Sequence, residues 1–267
     1  MTATRWLRRW TRVVRLALHL ARGLATAAVL FPFQTPERHR GEIEAWSRRL
    51  LAILGVRLSL SGQRKHHGQH PLMLVANHVS WLDIFLINAV TASRFVAKAE
   101  IRRWPVLGWL CARVGTFFIE RAKRHDTARV NHAAGAALRA GEVVAVFPEG
   151  TTTDGSHVLK FHASLLAPAL EAGADVQPVA FRYERHDGSL CTEAAYDGER
   201  SLWDALIGIV SEPEVVARVW FLEPMSAAGN HRRELANRAR EAILLTLVPR
   251  AHDSRTHRAS DHRVSAP

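Results

Sequence analysis

The chain has 267 residues, 48% of them hydrophobic and 23% charged, which suits one large globular domain with a substantial core. Its formal charge of +11 suggests nucleic acid only until the charge is located: residues 1–40 carry eight Arg against one Glu, residues 250–267 carry four Arg against two Asp, and the body between keeps +2. That argues against a nucleic-acid partner, which needs a basic stripe on the body, and the two distant cysteines, Cys111 and Cys191, argue against a disulfide framework or a zinc site.

In chain order, Arg8, Arg12, Arg15, His19 and Arg22 form one helical stripe, with Trp6, Trp10, Val13, Ala17, Leu20, Ala21 and Leu24 opposite. The pattern predicts an amphipathic helix lying in a membrane interface, Arg on anionic head groups and Trp and Leu in the acyl boundary. The longest uncharged run, 23–36, has 14 residues and two prolines, short of the ~20 a span needs. Arg15 and Arg22 interrupt any signal-peptide core, so the body is expected on the cytoplasmic side. Residues 23–33 read as a second apolar helix stopped by Pro32.

Residues 42–54 have helical spacing ended by Gly55, residues 56–61 alternate as a half-buried strand, and 64–70 read as a polar loop whose histidines have no neighbouring acid to share a metal. Met73-Leu74-Val75-Ala76 reads as a buried strand, His78 as a residue in the turn after it, and Ser80 with Asp83 as a helix-capping pair. Asp83 can then reach one imidazole nitrogen of His78, leaving the other free to take a proton. Ser80 as a nucleophile has poor geometry for its supposed base.

Further on, a strand over 114–119 ends near Arg121, well placed to hold phosphate bidentately. A helix over 126–140 precedes a buried strand over 143–147 and a turn in which Gly150 offers backbone N–H groups and Thr151 a hydroxyl. Glu149 cannot bind phosphate and is expected to hold Arg121 or accept from a substrate hydroxyl. A helix over 160–170 and a strand over 176–181 follow, with Pro178 suggesting an edge or a bend. A short helix opened by Ser201, a strand over 215–222, a helix over 230–248 and a disordered tail over 250–267 complete the chain. The alternation implies an α/β fold, a mixed sheet flanked by helices with functional turns at strand ends, behind an N-terminal amphipathic membrane-binding motif. The division expected is 1–40 membrane segment, 41–249 catalytic domain and 250–267 tail.

Asn77-His78 with Asp83, then Gly115-Thr116-Phe117-Phe118-Ile119-Glu120-Arg121, then Phe147-Pro148-Glu149-Gly150-Thr151, then Gln177-Pro178-Val179 resemble the four ordered blocks of the glycerolipid acyltransferases. The resemblance implies O-acyl transfer without cofactor or metal, from acyl-CoA or acyl-carrier protein to a lyso-lipid, at the cytoplasmic face of the inner membrane. It implies His78 and Asp83 as catalytic residues. Asn77, Arg121, Glu149, Gly150 and Thr151 would then bind substrate, and Phe118, Pro178 and Val179 would line the acyl or acceptor pocket. The blocks favour lysophosphatidate, giving phosphatidate. Lys160-Phe161-His162-Ala163 stands where many such relatives carry Phe-Lys-Lys-Gly, which makes a less charged lyso-lipid, such as lyso-ornithine lipid, the rival acceptor. A non-catalytic lipid-binding protein on the same fold would be expected to have lost chemical motif residues, and none is missing.

Overall fold

The computed structural model of the protein describes residues 3–64, 70–120, 124–196 and 201–248, so the tail expected over 250–267 lies outside the described residues. Eight described strands form one sheet: β1 (Val56–Ser61), β2 (Leu72–Ala76), β3 (Arg94–Lys98), β4 (Phe117–Ile119), β5 (Val144–Val146), β6 (Asp175–Glu184), β7 (Val215–Phe221) and β8 (Met225–Ser226). Their order is β1-β7-β6-β2-β5-β3-β4, with β8 also against β6. The sheet is mixed. β6 pairs antiparallel with β7 and β8, while β6-β2-β5-β3-β4 is a parallel run whose carboxyl ends lie on one side.

The described α-helices are α1 (Ala3–Ala25), α2 (Pro36–Leu54), α3 (Asp83–Val90), α4 (Leu107–Arg113), α5 (Arg124–Arg139), α6 (Ala167–Ala172), α7 (Leu202–Ser211) and α8 (Arg232–Leu247). Strand alternation divides the core in two. Leu72, Leu74 and Ala76 of β2 join the cluster with α2 and α3, while Met73 and Val75 join the one with α5, α6 and α8.

Pro178 does not mark an edge strand, since β6 lies between β2 and β7. Its carbonyl accepts from Leu222 N at 3.0 Å, so its missing N–H faces the same flank, where pairing passes from β8, whose Met225 lies opposite Val176, to β7, whose Phe221 lies opposite Val179. A strand's donors change partner there, and a proline costs no ladder bond. The helix expected over 160–170 is replaced by irregular backbone followed by a 3₁₀ turn (Ala163–Leu166) and α6. Long-range partners hold the backbone of that stretch: Leu159 N donates to Glu149, His162 N donates to Pro148 O, and Arg240 donates to the carbonyls of Val158 and Leu159.

The N-terminal rod is helical as expected, but Arg8 and Arg12, expected on head groups, bind the body instead. α1 continues without a break through a π turn (Thr26–Leu30) and a 3₁₀ turn (Phe31–Phe33), and the run Arg5–Phe33 is long and apolar enough to cross a membrane. Arg8, Arg12 and His19 of its polar stripe face inward, while Arg15 and Arg22 are exposed. Arg12 donates to the carbonyls of Val210, Glu212 and Pro213 at 3.2, 2.6 and 2.9 Å, and Arg8 to that of Ser211 at 3.1 Å, so both cations satisfy the open carbonyl end of α7. His19 stacks on Trp46 with ring centroids 4.6 Å apart, and burial lowers its pKa, so this member of the stripe is neutral. The helices meet closely at Gly23, where a Cβ would come within 2.5 Å of the Trp46 ring. The face left open carries Leu7, Trp10, Val14, Leu18 and Leu20, with Val29 and Phe33 further along the rod.

Candidate active site

The turn after β2 is built so that His78 has little freedom. The strand ladder with β6 ends at Ala76 opposite Val179, and the Asn77 side chain extends it: Nδ2 donates to Phe181 O at 3.0 Å and Oδ1 accepts from Phe181 N at 2.8 Å. An amide is the side chain that carries both groups at that spacing, as a peptide does. Asn77 is buried with both polar atoms used, so it shapes the turn where a substrate contact had been expected.

Four contacts then hold His78. Its backbone N donates to Glu149 Oε1 at 2.7 Å, and its carbonyl accepts from Thr153 N at 2.9 Å. Its ring stacks on Phe147 with centroids 4.0 Å apart and 11° between planes. Its Nδ1 lies 2.8 Å from Asp83 Oδ2. The same Asp83 oxygen accepts from Val79 N and Ser80 N at 2.8 and 3.0 Å, and Oδ1 accepts from the Tyr183 hydroxyl at 2.5 Å. A carboxylate with so many donors remains an acceptor, which assigns the proton to His78 Nδ1 and leaves the Nε2 lone pair open. Asp83 is fully buried whereas the His78 side chain is 19% exposed, and no described residue bonds Nε2.

Ser80 is not the helix cap. α3 starts at Asp83 with Leu82 before it, and Ser80 is fully buried with its Oγ accepting from Leu82 N, which leaves no room for a nucleophilic role. Glu149 has a further task. Its two oxygens accept from His78 N and Leu159 N, both at 2.7 Å, so it ties the turn after β5 to the turn after β2, and its carboxylate is buried. Burial pushes its carboxyl pKa up, and the two N–H groups oppose that rise.

The parallel run explains how distant sequence blocks meet. β2 and β5 are neighbours, so the turns at their carboxyl ends lie side by side, with Gly150 at φ +79° and Thr151 exposed beside it. β4 ends at Ile119 on that same side; Arg121, two residues on, lies outside the described residues. Phe118 is nearly buried in β4, and Pro178 and Val179 are buried in β6, so the pocket expected of them is not open at those side chains.

Two contributors escaped the sequence reading. Phe147 lies inside a recognised block but was read only as the end of a strand. Tyr183 follows Val179 and Phe181 at period two, on the sheet face under α3, and a buried phenol there requires an acceptor. Burial and then the nearby Asp83 charge raise its pKa well above the usual value, which keeps the hydroxyl protonated as a donor.

The profile of the family described as Acyltransferase matches residues 57–182. A lyso-ornithine lipid O-acyltransferase of Pseudomonas aeruginosa is 39% identical over 215 residues, covering 80% of this chain and 81% of that protein. A 1-acyl-sn-glycerol-3-phosphate acyltransferase of Neisseria meningitidis is 38% identical over 207 residues, covering 77% and 80%. The crystal structure of the 1-acyl-sn-glycerophosphate acyltransferase of Thermotoga maritima superposes with a TM-score of 0.62 over 88% of this chain and 96% of that one, at 24% identity, which speaks for the fold.

Proposed function

The chain belongs to the acyltransferase family, and from that premise we propose that it acylates the free hydroxyl of a lyso-lipid by general-base catalysis from His78. The observation that carries this reading is the Nδ1–Asp83 contact at 2.8 Å beside an Nε2 that no described residue bonds. Nε2 takes the acceptor's hydroxyl proton as its oxygen attacks the thioester carbonyl. The tetrahedral intermediate then expels the thiolate, which recovers the proton from the imidazolium, and no acyl-enzyme forms. Asp83 fixes the tautomer and stabilises the imidazolium, and the clamps on His78 keep the reacting nitrogen in place.

Lyso-ornithine lipid is the acceptor we favour. The relative from Pseudomonas aeruginosa carries that name, and the Lys160-Phe161-His162-Ala163 stretch lacks one of the cations a phosphate monoester would want. Lysophosphatidate is the second reading, supported by the relative from Neisseria meningitidis and by Arg121. The donor is acyl-CoA or acyl-carrier protein, both cytoplasmic thioesters, so the reaction belongs to the cytoplasmic face of the membrane, with the apolar face of α1 as a peripheral anchor. Incubating the purified protein with labelled acyl thioester and a panel of lyso-lipids tests class and acceptor together. A higher kcat/KM for lyso-ornithine lipid is expected, with little response to Arg121→Ala. A preference for lysophosphatidate that Arg121→Ala weakens by about 1.5–3 kcal/mol would transfer the assignment to the second reading.

A further inference from the structure

The open face of α1 is continued by a second element. Trp6, Arg9, Trp10 and Val13 of α1 line one open cleft of about 350 Å³ together with Trp203 and Ile207 of α7. Trp6, Trp10 and Trp203 are 57%, 55% and 61% exposed, and Leu202 next to Trp203 is exposed as well. Three indoles this open around one cleft are poorly suited to water, and Trp is the side chain enriched where lipid head groups meet acyl chains.

The two helices act as one unit, because Arg8 and Arg12 bind the carbonyls at the end of α7. The first turn of α7 is fixed rather than frayed: Ser201 Oγ accepts from Asp204 N at 3.1 Å, and the Asp204 carboxylate folds back onto that hydroxyl at 2.6 Å. The charge of the neighbourhood favours an anionic partner. Among the described residues Arg9 is the one charged residue lining the cleft, and Arg5 and Arg15 are exposed on the same helix.

We propose that the first turn of α7 is a second membrane-insertion element, and that the cleft between Trp6, Trp10 and Trp203 takes an acyl chain of an anionic bilayer phospholipid with Arg9 at its phosphate. The catalytic consequence rests on the acyl-transfer reading above. Tyr196 donates to Val79 O at 2.9 Å, and Thr152 donates to Tyr196 O, so Tyr196 is bonded to both catalytic turns. Leu202 follows six residues later, a step that spans at most about 22 Å. Insertion of Leu202 and Trp203 therefore limits how far the two catalytic turns can lie from the bilayer.

The test uses the full chain with vesicles of phosphatidylcholine, with and without phosphatidylglycerol, some carrying bromine on the acyl chains. Bromine should quench tryptophan fluorescence, and Trp203→Phe should remove a share of that quenching. Trp203→Ser should weaken vesicle binding at least about tenfold, the scale of one large apolar side chain. Transfer to a vesicle-embedded lyso-lipid should fall in parallel, with transfer to a soluble short-chain lyso-lipid unchanged. Arg9→Gln should lower the preference for phosphatidylglycerol about fivefold, the share of one interfacial cation. Unchanged quenching in Trp203→Phe, or unchanged binding in Trp203→Ser, overturns the proposal, and so does a lipid-free dimer that Trp203→Ser dissolves, which would give the cleft to a second copy of the chain. A wild-type protein that acylates no lyso-lipid refutes the acyl-transfer reading instead, and the quenching and sedimentation results still decide this one.

Discussion

The His78 turn and the outer face of α1 are opposites. In the turn, the groups that hold the ring are paired: Asn77 completes a ladder, Glu149 and Thr153 hold the His78 backbone, and Asp83 accepts from four donors. On the rod, Arg8, Arg12 and His19 are spent inward on α7 and Trp46 while Leu7, Val14 and Leu18 stay open. The contrast separates two kinds of functional surface. A reacting nitrogen is useful when its position is over-determined, and an anchoring face is useful when its contacts are left for the bilayer to supply.

The contrast can be broken from the rigid side first. Asp83→Asn removes the charge that orients the ring and should lower kcat by ~10² to 10⁴, measured with a saturating lyso-lipid. Glu149→Gln puts an NH₂ against one of two N–H donors. It should destabilise the fold by about 1–3 kcal/mol, read by denaturant titration, with a fall in kcat as the two turns loosen. Tyr183→Phe keeps the ring and deletes one donor to Asp83. A fall of about tenfold in kcat with KM nearly unchanged is expected, of the size of one hydrogen bond to a charged group.

On the open side the effects are smaller and divide by face. Arg12→Gln should lower stability by about 1 kcal/mol, because it uncovers carbonyls at the end of α7, as seen by thermal melting. Arg15→Gln, on an exposed residue, should leave the melting curve within about 0.5 kcal/mol of wild type and weaken vesicle sedimentation only slightly. If the two variants exchanged these phenotypes, the inward orientation of Arg12 would be wrong.

The same division runs through what the sequence made legible. Periodicity located α5 and β1 nearly to the residue, since both depend on local pattern and caps. The His78–Asp83 contact was legible too, five residues apart across one turn. Its support was not: Tyr183, Phe147 and the Glu149–His78 bond join residues through the sheet order, which no local spacing encodes. The rod failed differently. A 3.6-residue period separates polar from apolar faces, but does not say which one packs on the body, and the carbonyls of α7 that take Arg8 and Arg12 lie about 200 residues away. The irregular stretch after Gly150 carried a helical pattern that the Glu149, Pro148 and Arg240 contacts overrode.

His78 is the base, and the turn that carries it keeps contacts that do not depend on the imidazole: Glu149 and Thr153 on its backbone, and Val79, Ser80 and Tyr183 on Asp83. Folded His78→Ala protein, its melting temperature matched to wild type, should be assayed for thiol release from acyl thioester in the presence of lyso-lipid. The account predicts a loss of at least about 10² in rate with a near-native melting curve, because the removed ring carries chemistry and little packing. Wild-type turnover in that folded variant would contradict it.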